Sequence, residues 1–117
     1  MKTDLSYLKE MSGGNTDLVL EMINIFREQV AEFSRDMDLY LKNRDYDQLG
    51  KLAHKAKSSV SIMGLQDLAK DLKNLENLAR EGKKPKTYAD IILKFKDETR
   101  EALLELNVIS ENIKLYF

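Results

Sequence analysis

The residue of this chain best suited to nucleophilic or acid–base chemistry is its only histidine, His54. It lies in a segment whose apolar residues recur at helical spacing and form one stripe: Leu49, Ala53, Ala56, Val60 and Met63. At 100° per residue, His54 falls about 150° from the centre of that stripe. The spacing therefore predicts an imidazole that faces water, where a ring nitrogen with a free lone pair can react with an approaching partner.

The residues around His54 on the predicted helix surface are small or cationic. Small residues lie one turn before it, one turn after it and two turns after it: Gly50, Ser58 and Ser61. Lys51 and Lys57 flank it, each three positions away and about 60° around the helix. We expect a low surface that a partner can approach closely, with cations near any anion attached to the ring.

The segments that must position His54 are helical. One proline and five glycines in 117 residues leave long uninterrupted stretches, and four of these carry an apolar stripe at heptad-like spacing. The four segments run from Val19 to Tyr40, from Asp45 to Met63, from Leu65 to Ala79 and from Tyr88 to Ile109. Short loops between them predict an antiparallel up-down-up-down four-helix bundle, which we expect to form a single domain over residues 1–117.

A short helix is predicted before the bundle, from Asp4 to Met11, and we expect it to lie across one end as a lid. Its apolar side is Leu5, Leu8 and Met11, and Thr3 is positioned to cap it. The same reasoning makes Asn15 or Thr16 the cap of the first long helix. Thr87 is the predicted cap of the last helix.

Composition excludes several classes of function. Net charge is −1, with 19 basic and 20 acidic residues, which argues against a nucleic-acid-binding protein. The absence of cysteine excludes disulfides and thiolate metal sites, and one histidine supplies too few ligands for zinc. No apolar run approaches the roughly 20 residues that span a bilayer. We therefore expect a cytoplasmic monomer with no metal, no cofactor and no membrane partner.

The stretch from Ala53 to Ser59, followed by Gly64 and Leu65, resembles the signature of histidine-containing phosphotransfer (HPt) domains of bacterial phosphorelays. That signature has an alanine, the phosphorylated histidine, two residues, a lysine, small residues and a glycine about ten positions after the histidine. His54, Lys57 and Gly64 occupy the matching offsets. Ser58 departs from the pattern, because many members have glycine there, but serine is also small.

The resemblance implies that His54 accepts a phosphoryl group from a receiver-domain phospho-aspartate and passes it to another receiver aspartate. Such a domain has no kinase activity of its own, and this sequence has no G-x-x-x-x-G-K phosphate loop. The receiver, in a hybrid histidine kinase or a response regulator, would supply Mg²⁺. We expect Lys57, Lys51 and Lys55 to stabilise the phosphoryl group, and the three small residues named above to receive the partner.

Two other functions are alternatives to this one. The first is a degenerate HPt-like module that docks partners without transferring phosphate, which the serine at position 58 leaves open. The second is a hydrolytic or metal enzyme built on a helical bundle. The second is disfavoured because the inward-facing Glu-x-x-His motif of such bundles is absent and His54 is predicted to point outward.

Overall fold

A computed structural model describes all residues from 1 to 117, and its regular elements are exclusively helical. The helices are α1 Ser6–Ser12, α2 Thr16–Lys42, α3 Tyr46–Ile62, α4 Gln66–Glu81, α5 Tyr88–Glu111 and α6 Ile113–Tyr116, with a 3₁₀ turn at Pro85–Thr87. The four long helices pack in a ring in which α2 and α4 each contact both α3 and α5. The predicted four-helix bundle is confirmed, and it is about 45 Å long and 20 Å wide. No helix is both long and apolar enough to cross a bilayer.

The apolar stripes of the four long helices meet in one continuous core. Its fully buried members come from each of the four long helices and include Ile23, Leu49, Leu72 and Phe95. Because each stripe repeats near 3.5 residues, the side chains of neighbouring helices interdigitate along the whole length of the bundle. The core thereby fixes the rotation of each helix, and with it the side of α3 that faces solvent.

Side-chain caps are observed at the starts of α2 and α3. Asn15 accepts a hydrogen bond from the backbone N–H of Leu18 at 3.1 Å, and Asp45 accepts one from Gln48 at 3.3 Å. Thr87 is the N-cap residue of α5, as predicted, but its side chain makes no capping hydrogen bond. Its hydroxyl instead donates to the carbonyl of Lys84 at 2.8 Å, inside the 3₁₀ turn that precedes α5.

The cap predicted at Thr3 is wrong, because its hydroxyl donates to Oε1 of Glu105 on α5 at 2.6 Å. The same carboxylate accepts the backbone N–H groups of Lys2 and Thr3. Asp4 follows, and its N–H donates to the carbonyl of Met63 at 3.1 Å. We call residues 2–5 the N-terminal strap, since they tie α5 to the end of α3 before α1 begins.

α1 lies over this end of the bundle with Leu5 and Leu8 buried beneath it. The expectation that Met11 shares their side is wrong, since Met11 is 53% exposed and Ser12 is buried instead. Ser12 lies about 40° from Leu8 around the helix and Met11 about 60° in the other direction. The bundle contacts the side on which Ser12 lies, so the methionine is left facing solvent.

Candidate functional site

His54 stands at the middle of α3, with eight residues of the helix on either side. Its side chain is 54% exposed, because the buried stripe of α3 turns the opposite face toward the core. The predicted outward orientation of the imidazole is therefore observed. One edge of the ring is nevertheless held, since Nδ1 lies 3.2 Å from Oε1 of Glu76 on the adjacent helix α4.

Glu76 is a buried carboxylate whose side chain is only 3% exposed. It lies among the buried residues of α4, next to Leu75 and one turn after Leu72. Three cations surround it in addition to the imidazole. Lys57 and Lys73 approach Oε1 at 3.9 and 3.6 Å, whereas Arg80 contacts Oε2 at 3.1 Å.

The charge of this carboxylate is stabilised by its partners against the effect of burial. Burial by itself raises the pKa of Glu76, because a low-dielectric environment disfavours the ionised form. The hydrogen bond and charge of His54, together with the charges of Lys73 and Arg80, outweigh burial and hold the pKa of Glu76 below its ordinary value. Glu76 is therefore an anionic hydrogen-bond acceptor at neutral pH.

This contact assigns the tautomer of His54. An ionised carboxylate can only accept hydrogen bonds, so Nδ1 carries the proton in its contact with Glu76. In the neutral ring, Nε2 then holds the free lone pair, and it makes no hydrogen bond within the protein. The arrangement leaves a nucleophilic nitrogen on the solvent side of the ring and places a negative charge next to Nδ1.

The three candidate lysines have different surroundings. Lys57 is partly buried and is the only one of them that approaches Glu76. Lys51 forms an ion pair with Asp47 on its own helix, 3.3 Å away. Lys55 is exposed and has no ionic partner in the chain. The structure thus brings Lys57 to the His54–Glu76 pair and leaves the other two lysines on the open surface of α3.

The expectation that Gly50 lies on an open surface is wrong. Gly50 is buried against α4, and a Cβ at this position would lie 3.0 Å from Cγ of Arg80 and 3.4 Å from the carbonyl oxygen of Glu76. The helical rotation was predicted correctly, but α4 packs so closely to α3 that it covers this edge of the histidine face. Gly50 therefore serves helix packing and offers no surface to a partner.

Ser58 and Ser61 remain on the accessible side of α3. Ser58 is exposed, and Ser61 is partly buried with its hydroxyl donating to the carbonyl of Lys57 at 2.8 Å. Both line a groove of about 520 Å³ that runs from the histidine face toward α1. We call it the α1–α3 groove, and its lining residues are Tyr7, Lys57, Ser58, Ser61, Ile62 and Gln66.

The sequence pattern did not single out the α4 half of the site, which comprises Glu76, Lys73 and Arg80. A signal was present, because Glu76 follows Leu75 directly and lies one turn after Leu72 on an otherwise apolar stripe. A carboxylate at such a position must be paired when buried, and cations lie three positions before it and four after it. No group of three or more histidine or acidic side chains that could hold a metal ion occurs in the structure.

Comparison with protein families identifies a match over most of the chain. A model of the Hpt domain family matches residues 21–106, which is more than half of the chain and includes the whole of α3 and α4. No curated protein and no solved structure matches the chain.

Proposed function

Because the chain belongs to the Hpt domain family, we propose that His54 accepts a phosphoryl group from the aspartate of one receiver domain and donates it to the aspartate of another. Hpt domains in general are histidine phosphotransfer modules of phosphorelays, act with receiver domains and have no kinase activity. The observation that carries the assignment to His54 is its contact with Glu76. It is the only histidine of the chain, and its ring is held at Nδ1 while Nε2 is open to solvent.

The proposed transfer is an in-line displacement at phosphorus. The lone pair of Nε2 attacks the phosphorus of the receiver's acyl phosphate, and the bond to the aspartate oxygen breaks as the N–P bond forms. The aspartate leaves as a carboxylate. The ring keeps its Nδ1 proton and becomes positively charged, and Oε1 of Glu76 at 3.2 Å stabilises that charge. Donation to the next receiver is the reverse of this step.

In this proposal the partner supplies the remaining groups. The Mg²⁺ that neutralises the carboxylates of a receiver belongs to the receiver, while this chain contributes the nucleophile and nearby cations. Lys57 is close enough to share its charge between Glu76 and a phosphoryl group on His54. Lys51 and Lys55 are more distant cations on the same helix, and we propose for them only a weaker electrostatic contribution that salt would screen.

Docking of the receiver is proposed to cover the exposed side of α3. Ser58 and Ser61 keep the surface low beside His54, and the α1–α3 groove continues it. A second groove on the other side of Ser58 includes Ile25 and Gln29 of α2. A receiver centred on His54 would therefore contact three helices of one chain, which fits a monomeric domain extending over residues 1–117.

A phosphotransfer assay tests the proposal. The protein is incubated with a receiver domain carrying ³²P on its aspartate, and separately with phosphoramidate, a small donor that needs no docking. We expect label that is stable in base and lost in acid, as phosphohistidine is, and none on a His54→Gln variant with unchanged helical circular dichroism. Label that persists on His54→Gln would contradict the assignment, whereas receiver binding without label from either donor would favour the degenerate docking module.

A further inference from the structure

Arg80 of α4 crosses α3 at Gly50, one turn before the histidine. A Cβ on residue 50 would lie 3.0 Å from Cγ of Arg80 and 3.5 Å from its backbone nitrogen. A separation of 3.0 Å is too short for two non-bonded carbon atoms, since their optimal separation is about 3.5 to 4.0 Å. The aliphatic part of Arg80 therefore rests on the α3 backbone in the space that any side chain at position 50 would fill.

The guanidinium at the end of this side chain contacts a different oxygen of Glu76 from the other partners. Arg80 approaches Oε2 at 3.1 Å. Oε1 is the atom that faces His54, Lys57 and Lys73. Because the carboxylate is planar, a partner that holds one oxygen also restricts where the other oxygen can lie. Arg80 is thus placed to fix the rotation of the carboxylate that Nδ1 of His54 contacts.

We propose that Arg80 and Gly50 are positioning residues for His54, in which Gly50 leaves room for the Arg80 side chain and Arg80 orients Glu76 so that Oε1 accepts the Nδ1 proton. This inference rests on the proposed function, because the tautomer it maintains leaves Nε2 free to attack phosphorus. The contacts that carry this role are those of Gly50 with Arg80 and of Arg80 with Glu76. Their effect on transfer passes entirely through Glu76.

Comparison with Lys73 separates orientation from charge. The two side chains are equally exposed, at 52% for Arg80 and 53% for Lys73, and both carry one positive charge to the same carboxylate. They differ in the oxygen they contact. Lys73 shares Oε1 with His54 and competes for its lone pairs, whereas Arg80 leaves Oε1 to the imidazole. Loss of Arg80 removes the one ionic contact to Oε2, whereas loss of Lys73 leaves Oε1 in contact with His54 and Lys57.

The first test reads the tautomer directly in the unphosphorylated 117-residue chain. The single histidine gives one pair of ring ¹⁵N signals, so assignment needs no other variant. We expect the wild type to show the Nδ1–H form, and both Arg80→Met and Gly50→Ala to show a mixture with the Nε2–H form. Lys73→Met, the matched loss of a cation, should keep the wild-type tautomer. Gly50→Ala should still fold, because alanine is a better helix former than glycine.

The second test is a double-variant cycle on the rate of labelling by phosphoramidate. Arg80→Met and Gly50→Ala should each slow labelling about three- to tenfold, the range expected when one charged hydrogen bond weakens. If Gly50 acts only through Arg80, the double variant should be no slower than Arg80→Met alone. Arg80→Lys, which keeps the charge but lacks the planar fork, should recover part of the rate.

The outcomes distinguish this inference from the proposed function. Unchanged ring signals in Arg80→Met and Gly50→Ala would overturn the inference even if the wild type transfers phosphate normally. A tautomer change of equal size in Lys73→Met would also overturn it, because charge alone would then explain the effect. Failure of the wild type to accept phosphate would refute the proposed function, whereas the ring signals would still report on Arg80.

Discussion

Gly64 and Asp4 are in direct backbone contact where the N-terminal strap passes the end of α3. A Cβ on residue 64 would lie 2.4 Å from Cβ of Asp4 and 2.5 Å from both its nitrogen and its oxygen. Gly64 also has φ of +75°, in the left-handed region that residues with a side chain rarely adopt. Gly64 is the glycine that matches the family offset after His54. Two features of the structure require glycine there: the positive φ of its own backbone and the close approach of the strap.

We predict that Gly64→Ala lowers the free energy of unfolding by more than about 2 kcal/mol, because backbone strain and a clash with Asp4 add together. Urea denaturation followed by circular dichroism measures it. Gly82→Ala is the matched control, since Gly82 has φ of +65° but no atom within 4 Å of the added Cβ. Gly82→Ala should lower the free energy of unfolding only by the backbone strain, about 1 kcal/mol. Equal losses in the two variants would mean that the strap does not press on Gly64.

The strap should also make stability depend on pH through Glu105. Burial raises the pKa of Glu105, but hydrogen bonds from Thr3 and Lys2 outweigh it and leave the pKa below its ordinary value of 4.5. A carboxyl group with a lowered folded-state pKa stabilises the fold above the unfolded value, and that contribution is lost as pH falls through the folded value. The strap contacts should therefore weaken below about pH 4.5.

Glu105→Gln should lower stability at pH 7 by about 1 to 2 kcal/mol, the usual size for hydrogen bonds to a charged group. The difference from wild type should shrink over the acid interval that begins at about pH 4.5, as the wild-type carboxylate is protonated. Melting temperatures of both proteins across that interval measure it. Glu10→Gln, at an exposed position on α1, should match the wild type throughout. A wild-type to Glu105→Gln difference that is constant with pH would contradict the role of ionised Glu105.

Hydrophobic periodicity was sufficient to predict the bundle and the exposure of His54. The stripe of α3 fixes the helix rotation, and rotation fixes which side chains point outward. The strap could not be predicted in this way, because Thr3 and Glu105 are about a hundred positions apart and neither belongs to a periodic pattern. The prediction that Gly50 lies on an open surface failed for a related reason. Periodicity gives the direction of a residue but not the distance to the next helix, and that distance buries it.

The docking face is tested by adding bulk at Ser61. We predict that Ser61→Trp slows transfer from a phosphorylated receiver at least tenfold, because the indole would occupy the α1–α3 groove that we propose the receiver covers. Labelling by phosphoramidate should be unaffected, since that donor needs no protein surface. Both rates come from the same assay. Receiver transfer at the normal rate would show that the partner docks elsewhere.

Val60→Asp is the control for helix rotation in the same segment. Val60 is 1% exposed and lies one residue before Ser61. An aspartate there would bury an unpaired charge and should cost more than about 4 kcal/mol, enough to unfold the bundle. Ser61→Trp should in contrast melt within a few degrees of the wild type, because Ser61 lies outside the core. Thermal unfolding of both variants separates a blocked surface from a damaged fold.

Lys57 is predicted to stabilise phosphohistidine by charge. Lys57→Ala should slow receiver transfer or shorten the lifetime of the phosphorylated form by about tenfold or less, as expected for a screened interaction near the surface. Lys55→Ala, which removes a cation of the same helix with no ionic partner, should have a smaller effect. Decay of the labelled proteins at two salt concentrations measures both. Identical decay of the two variants would contradict the prediction that Lys57 stabilises phosphohistidine.

The two ends of the bundle are held differently. The strap holds one end, and at the other the carbonyl oxygens of Leu78 and Lys83 share the single hydroxyl proton of Tyr88. Local unfolding of the helices starts at their ends, so these contacts must open before unfolding reaches the midpoint of α3. His54 occupies that midpoint, so its backbone amide should be among the slowest in the chain to exchange with deuterium, although its side chain is open to water. The chain thus carries its only imidazole at the point of α3 that is farthest from either end of the helix.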